Sequence, residues 1–178
     1  GKYLKKIDIR EHGSKNSGAT NAYRVLGPKY GLMVLAADAL KGFLPPFIAS
    51  RYGVTGNMLL LIGVLAIVGH SLSFFLHFKG GKGVATSLGV FLFLIPNVTL
   101  ALLIVFILVV YFTRYISLGS IIAAAALPIL TALSPVGYGI GKTPLLVMTT
   151  LIGVFVIYRH RTNIKRLMEG TENKFKLK

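Results

Sequence analysis

Apolar runs that approach the length of a bilayer crossing recur along this chain, and they constrain its fold more than any other feature. A membrane-spanning helix needs ~20 mostly apolar residues. Six stretches are candidates: 31–50, 57–74, 84–95, 98–112, 117–133 and 144–158. The third is short, and is expected to begin near Gly81 and to lie tilted or partly re-entrant. Pro96 breaks the run between the third and fourth, because proline lacks the N–H that a helix interior uses. Charged residues make up only 14% of the chain, against roughly 25% in ordinary globular domains. Water cannot solvate so apolar a chain of this size. The expected fold is therefore an all-α polytopic membrane protein with six transmembrane helices, short interfacial helices and loops that carry the polar motifs, forming a single domain over residues 1–178.

Six spans place both ends on one side, and the distribution of charge says which. There are 20 Lys and Arg against 5 Asp and Glu. With the N-terminus inside, seventeen of the twenty cations fall on inner segments. Only Arg51 and Lys142 fall outside, and Lys41 sits within a span. Positive charge collects on cytoplasmic loops, so every glycine-rich basic segment is expected to face the cytosol. The same excess would suggest nucleic acid in a soluble protein. Here it reads as topogenic charge and attraction to anionic lipid heads, with no nucleic-acid partner. The chain has no Cys, which excludes disulfides, thiolate metal sites and a Cys nucleophile. Four scattered His without paired-ligand spacing give no metal site.

Four segments carry chemistry. In 13–27, GSKNSGATNAYRVLG, Gly13 and Gly18 permit tight backbone turns. Ser14, Asn16, Thr20 and Asn21 supply neutral polar groups, and Arg24 a planar cation suited to phosphate. Thr20, Asn21 and Arg24 can share one face of a short helix that Gly27-Pro28 ends. Asp38 and Lys41 are helix neighbours within the first span, where charges pair or line a cavity. In 77–87, HFKGGKGVATS, Lys79 and Lys82 flank Gly80 and Gly81, Gly83 follows, and then a helix begins. Backbone N–H groups and two ammonium groups there suit a phosphate. It is not a Walker A loop: Leu76 stands where that pattern needs Gly, and Gly83 where it needs Ser or Thr. His70, in the preceding span, reads as a packing residue. In 158–175, His160 and Asn163 lie three apart on the last helix, and Arg159, Asn163 and Arg166 make a second stripe. Glu169 and Glu172 are the nearby acids. Each segment also has a plain reading, as a solvated loop, a structural ion pair or a basic helix end.

Together these segments resemble the motifs of the acyl-phosphate-dependent glycerol-3-phosphate acyltransferases of bacteria, the PlsY family. The first is similar to GSGNxGATNxxRxxG, with Lys15 where the family has Gly and Ser17 at a position that is usually apolar or Pro. Asp38–Gly42 matches a DxxKG element. Residues 69–86 match GHxxxxxLxFKGGKGVAT without a gap, and 160–172 match HRxNIxRLxxGxE. The resemblance covers nearly the whole chain. It implies seven spans in the full-length family, one of them preceding Gly1. It implies transfer of a fatty acyl group from acyl phosphate to the 1-hydroxyl of sn-glycerol 3-phosphate at the cytosolic face of a bacterial inner membrane, with membrane lipids as surroundings and no cofactor. On that view Lys79, Lys82 and the Gly80, Gly81 and Gly83 backbone hold one phosphate. Arg24, Lys41, Asn16 and Asn21 hold the other, in a segment shaped by Gly13, Gly18 and Thr20. Ser14, His160 and Asn163 lie nearest the reacting carbonyl and hydroxyl, and Asp38, His70 and Glu172 support the site. Which group holds which substrate stays open, as does the oligomeric state, for which a monomer is admissible. The rival classes are a transporter or channel for a phosphorylated anion, which should show an internal repeat, and a lipid-binding scaffold. The residues show no repeat, and the dense polar motifs disfavour the scaffold.

Overall fold

The structure is a computed structural model that describes residues 7–74 and 80–176. Among the described residues it is helical, with α1 Ala19–Leu26, α2 Pro28–Arg51, α3 Asn57–Ser71, α4 Val84–Leu94, α5 Pro96–Thr113, α6 Ile116–Leu133, α7 Lys142–Arg159 and α8 Arg161–Met168. Lys79 and the other residues of 75–79 lie outside the described residues.

At 1.5 Å per residue, the 24 residues of α2 extend about 36 Å and the 18 residues of each of α5, α6 and α7 about 27 Å. These four are long and apolar enough to cross a bilayer. The 15 residues of α3 and the 11 of α4 reach only about 22 Å and 16 Å. Pro96 sits in the first turn of α5 and divides it from α4, where the sequence places the break. Pro45 and Pro46 leave α2 continuous; lipid-embedded helices accept proline when neighbours satisfy the freed carbonyls.

Helices α5, α6 and α7 pack in sequence as antiparallel neighbours, while α2, α3 and α4 form a second group joined to the first through α4–α5 and α3–α7. Leu59, Ile67, Val90, Leu94 and Leu145 are buried between them. The outward faces carry exposed Leu65, Ile104, Leu151 and Val154, as a lipid solvent requires. The tightest crossing is α2 on α4. A Cβ on Gly42 would lie 2.1 Å from the Thr86 carbonyl oxygen, and one on Gly89 1.9 Å from that of Ala39. Helices in lipid gain no hydrophobic drive toward one another, so close backbone approach through small residues is what holds them.

One sequence expectation is corrected. The last helix does not run unbroken through His160. Helix α7 ends at Arg159, and His160 (φ −98, ψ 6) is at once its C-cap and the N-cap of α8. The His160 carbonyl starts the new helix by accepting from the Asn163 and Ile164 amides at 2.8 and 2.9 Å. On the opposite end, Lys142 donates to the Thr131 carbonyl at 2.7 Å and to that of Ser134. The Lys142 cation is thereby spent on the orphan carbonyls of a helix C-terminus.

The α2–α4 crossing generates a test. Gly89→Val forces a side chain against backbone and should cost at least the ~1–3 kcal/mol typical of overpacking. Thermal unfolding in detergent should show a lower Tm. Gly69→Ala is the control, because a Cβ there meets nothing within 4 Å; its effect should stay within about 1 kcal/mol, the helix-propensity difference.

Candidate active site

The three basic segments converge on one cavity of about 440 Å³ between α1, α2, α4, α5, α6 and α7. Its mouth is lined by Ser14, Asn16, Thr20, Arg24, Lys82 and His160, and its interior by apolar side chains such as Phe91, Leu102, Leu127 and Ile152. A polar mouth thus opens into an apolar pocket.

A buried carboxylate organises the mouth. Glu172, with a side chain 2% exposed, accepts from Asn163 Nδ2 at 2.7 Å, Ser117 Oγ at 2.9 Å and Arg166 Nε at 2.7 Å. The amide nitrogen of Asn163 is thereby pinned, so its oxygen points the other way and accepts from the Lys82 ammonium. Burial alone would push the Glu172 carboxyl up, but these three donors outweigh it and hold its pKa below the usual value. The segment that carries Glu172 is strapped across the mouth. The Phe175 amide donates to the Arg114 carbonyl at 2.6 Å, the Phe175 ring lies 5.1 Å from that of Tyr23, and Arg24 donates to the Asn173 carbonyl at 3.1 Å.

The glycine loop is built by contact. A Cβ at Gly80 would fall 2.1 Å from the His70 carbonyl oxygen, and one at Gly81 2.3 Å from His70 Nε2. Gly83 has φ +83 and caps the start of α4. Arg159 donates to the carbonyls of Gly80 at 2.9 Å and Gly81 at 3.0 Å. Lys82 follows, and its pKa falls from 10.5 to about 8, first through burial and then through Arg166, Arg24 and Arg159, with Glu172 opposing. The Arg24 guanidinium is likewise lowered, mainly by burial. The mouth therefore holds cations that an anion would relieve.

His160 is 3% exposed. Its Nδ1 lies 2.8 Å from the Val156 carbonyl, which can only accept, so Nδ1 carries the proton and Nε2 keeps its lone pair. Burial, then the charge of Lys82, brings its pKa to about 4. At neutral pH it is an uncharged acceptor.

The structure separates some residues that the sequence groups together. Lys41 pairs with Asp38 at 2.6 Å and lines a second cavity, with Ser17, His70 and Ser73. Asp38 and His70, 3.6 Å apart, form a wall common to both cavities. Asn21 is buried, and its amide nitrogen lies within 3.1 Å of the carbonyls of Ile9, His12 and Asn16, while its oxygen accepts the Ser14 amide at 2.8 Å. Its hydrogen-bonding capacity is used in folding the first segment. Gly13, at φ +62, lies so close that a Cβ would sit 2.4 Å from Asn21 Oδ1. Asn16 Oδ1 accepts the Gly18 amide at 2.8 Å. No motif in the sequence points to the Ser117–Glu172 bond or to the apolar interior of the cavity, and Arg159 stands out there only as part of a basic stripe. Ser87, whose buried hydroxyl has no partner among the described residues, also lines the cavity.

A family model described as glycerol-3-phosphate acyltransferase matches residues 1–170. A glycerol-3-phosphate acyltransferase of Fusobacterium nucleatum subsp. nucleatum is 58% identical over 176 residues, covering 99% of this chain and 88% of that protein. One from Bacillus subtilis is 47% identical over 178 residues, with the same coverage of 99% and 88%. The crystal structure of PlsY, an integral membrane glycerol 3-phosphate acyltransferase, in its glycerol 3-phosphate form has a TM-score of 0.88 and 42% identity, over 97% of this chain and 84% of that one. Its lysophosphatidic acid form gives 0.86 and 41%, over 98% and 85%.

Glu172 generates a pH test. Its folded pKa lies below the unfolded one, so its stabilisation is present above the ordinary carboxylate range and is lost as pH falls through the folded value. Glu172→Gln should lower stability at pH 7 by about 1.5–3 kcal/mol, the scale of a hydrogen bond to a charged group. Its melting temperature should also vary less with pH on the acid side than that of the parent. An unchanged acid limb would show that another group sets the acid sensitivity.

Proposed function

Because the chain belongs to the glycerol-3-phosphate acyltransferase family, we propose that it takes a fatty acyl group from acyl phosphate and gives it to the 1-hydroxyl of sn-glycerol 3-phosphate. The products are lysophosphatidic acid and inorganic phosphate. The observation that carries this reading is the joining, in one cavity, of a cationic mouth to an apolar interior. Both substrates bring a phosphate and one brings a hydrocarbon tail. A phosphorylated-anion transporter would have no use for the tail-shaped interior. The working protein is a single domain with six spans in this chain. Its ends and its mouth face the cytosol, at the inner membrane of a bacterium.

The geometry supports the following roles. Lys82, Lys79 and the amides of Gly80, Gly81 and Gly83 hold one phosphate; Arg24, with Asn16, Thr20 and Ser14, holds the other. Gly18 and Asn21 shape that second group. Lys41 acts from behind the Asp38–His70 wall. Attack of the hydroxyl oxygen on the acyl carbon forms the ester bond and breaks the bond to the phosphate oxygen, and inorganic phosphate leaves with the hydroxyl proton. A phosphate dianion, with its second pKa near ~6, outcompetes an imidazole at about 4 for that proton. His160 Nε2 therefore accepts a hydrogen bond from the hydroxyl and aims it, while Asn163 fixes Lys82. Positioning and electrostatic stabilisation supply the rate, and no covalent enzyme intermediate is needed.

Purified protein in lipid, given acyl phosphate and radiolabelled glycerol 3-phosphate, should form lysophosphatidic acid. Comparable turnover with acyl-CoA would sink the donor assignment. Within that assay Lys82→Ala should raise the KM of one substrate by roughly 10- to 100-fold, as loss of a charge-assisted contact implies. In the parent that KM should climb as pH rises through about 8, where Lys82 loses its charge. His160→Ala should lower kcat by less than ~100-fold, the lower end for general acid–base catalysis; a larger loss would make His160 the base.

A further inference from the structure

On α5, α6 and α7 the lining of the cavity stops at Thr99, Leu127 and Ile152, and this inner end gives the site a depth. Thr99 of α5, Leu127 of α6 and Ile152 of α7 line that end and are 3%, 5% and 6% exposed. Helices α6 and α7 touch just on the mouth side of that end through Gly153, whose Cβ would lie 2.6 Å from the Ala124 carbonyl oxygen, so hydrocarbon cannot leave between these two helices there. The wall nearer the mouth is different, because Leu32 and Leu35 of α2 line it and are 62% and 40% exposed. Ser117, bonded to Glu172, marks the polar rim on α6. From Ser117 to Leu127 along one helix is about 15 Å at 1.5 Å per residue. An extended chain advances ~1.2 Å per bond, so about twelve bonds fill that distance.

We infer that Leu127, with Thr99 and Ile152, is the length-determining floor of the acyl subsite. This inference rests on the acyl-transfer reading above. A dodecanoyl chain entering from the mouth reaches the floor. A palmitoyl chain reaches it with methylenes left over, which must fold back or leave past Leu32 and Leu35. Side-chain volume at the floor therefore sets how many methylenes gain apolar contact. Each buried methylene is worth about fourfold in binding, so a change that admits or rejects two of them shifts chain preference by on the order of tenfold.

The experiment compares kcat/KM for octanoyl, dodecanoyl and palmitoyl phosphate in lipid-reconstituted protein. Leu127→Ala deepens the floor and should raise the palmitoyl-to-dodecanoyl ratio about tenfold. Leu127→Phe raises the floor and should lower the dodecanoyl-to-octanoyl ratio by a similar factor. Thr99→Leu narrows the same end from α5 and should act as Leu127→Phe does. Each ratio is internal to one preparation, so a reduced folded fraction cancels. Ratios unchanged in all three variants, with the parent active on acyl phosphates, would overturn the floor and leave the acyl-transfer reading standing. A parent inactive on every acyl phosphate would remove that reading and the floor with it.

Discussion

Glu172 draws three separate pieces of chain onto one carboxylate: Ser117 at the start of α6, and Asn163 and Arg166 on α8, with the segment after α8 that carries it as the third. Burying a carboxylate among these groups is tolerable only because every contact is a donor and one of them is a cation. The remaining polar architecture depends on it. Asn163 points its oxygen at Lys82 because its nitrogen is held. Lys82 keeps a charge in a buried place partly because Glu172 opposes the three arginines around it. The neutral state of His160 follows in turn, since the charge of Lys82 helps to keep it deprotonated.

The cavity that results is amphiphilic in the same sense as a lipid. Its charged groups gather where the helices leave the apolar layer, and its walls below are hydrocarbon. That ordering comes from the span lengths. Helix α4 is only 11 residues long, and its first turn begins at the glycine loop, so that loop and part of the apolar wall lie on one short element. The neighbouring α2 approaches α4 through Gly42 and Gly89, which keeps Asp38 and His70 directly behind the loop.

Much of this was legible in the residues. The break at Pro96, the end of α1 at Gly27-Pro28 and the gathering of three basic segments all follow from local chemistry or from charge counting. Glycine spacing marked the loop at Gly80–Gly83 correctly as unusual. The rest depended on distances between segments far apart in the chain. Asn21 looked like a ligand because amides bind phosphate, yet its neighbours Ile9, His12 and Asn16 fold back and use it. Lys41 shares its element with Asp38, but the helix turns it into the other cavity. The break at His160 left no periodic signal, since three-residue spacing from His160 to Asn163 holds across it. Ser117 carries no motif, and only its partner reveals it.

The bonds from Arg159 to the carbonyls of Gly80 and Gly81 span 79 and 78 positions, and Glu172 lies later still. Chains leave the ribosome N-terminus first. The glycine loop is therefore synthesised well before the guanidinium that braces it, and the mouth is complete only once Glu172 has been released. Synthesis and completion of the mouth are tied in time: a chain still being inserted into the bilayer has its apolar walls but not yet the clasp that fixes Lys82 and the glycine loop.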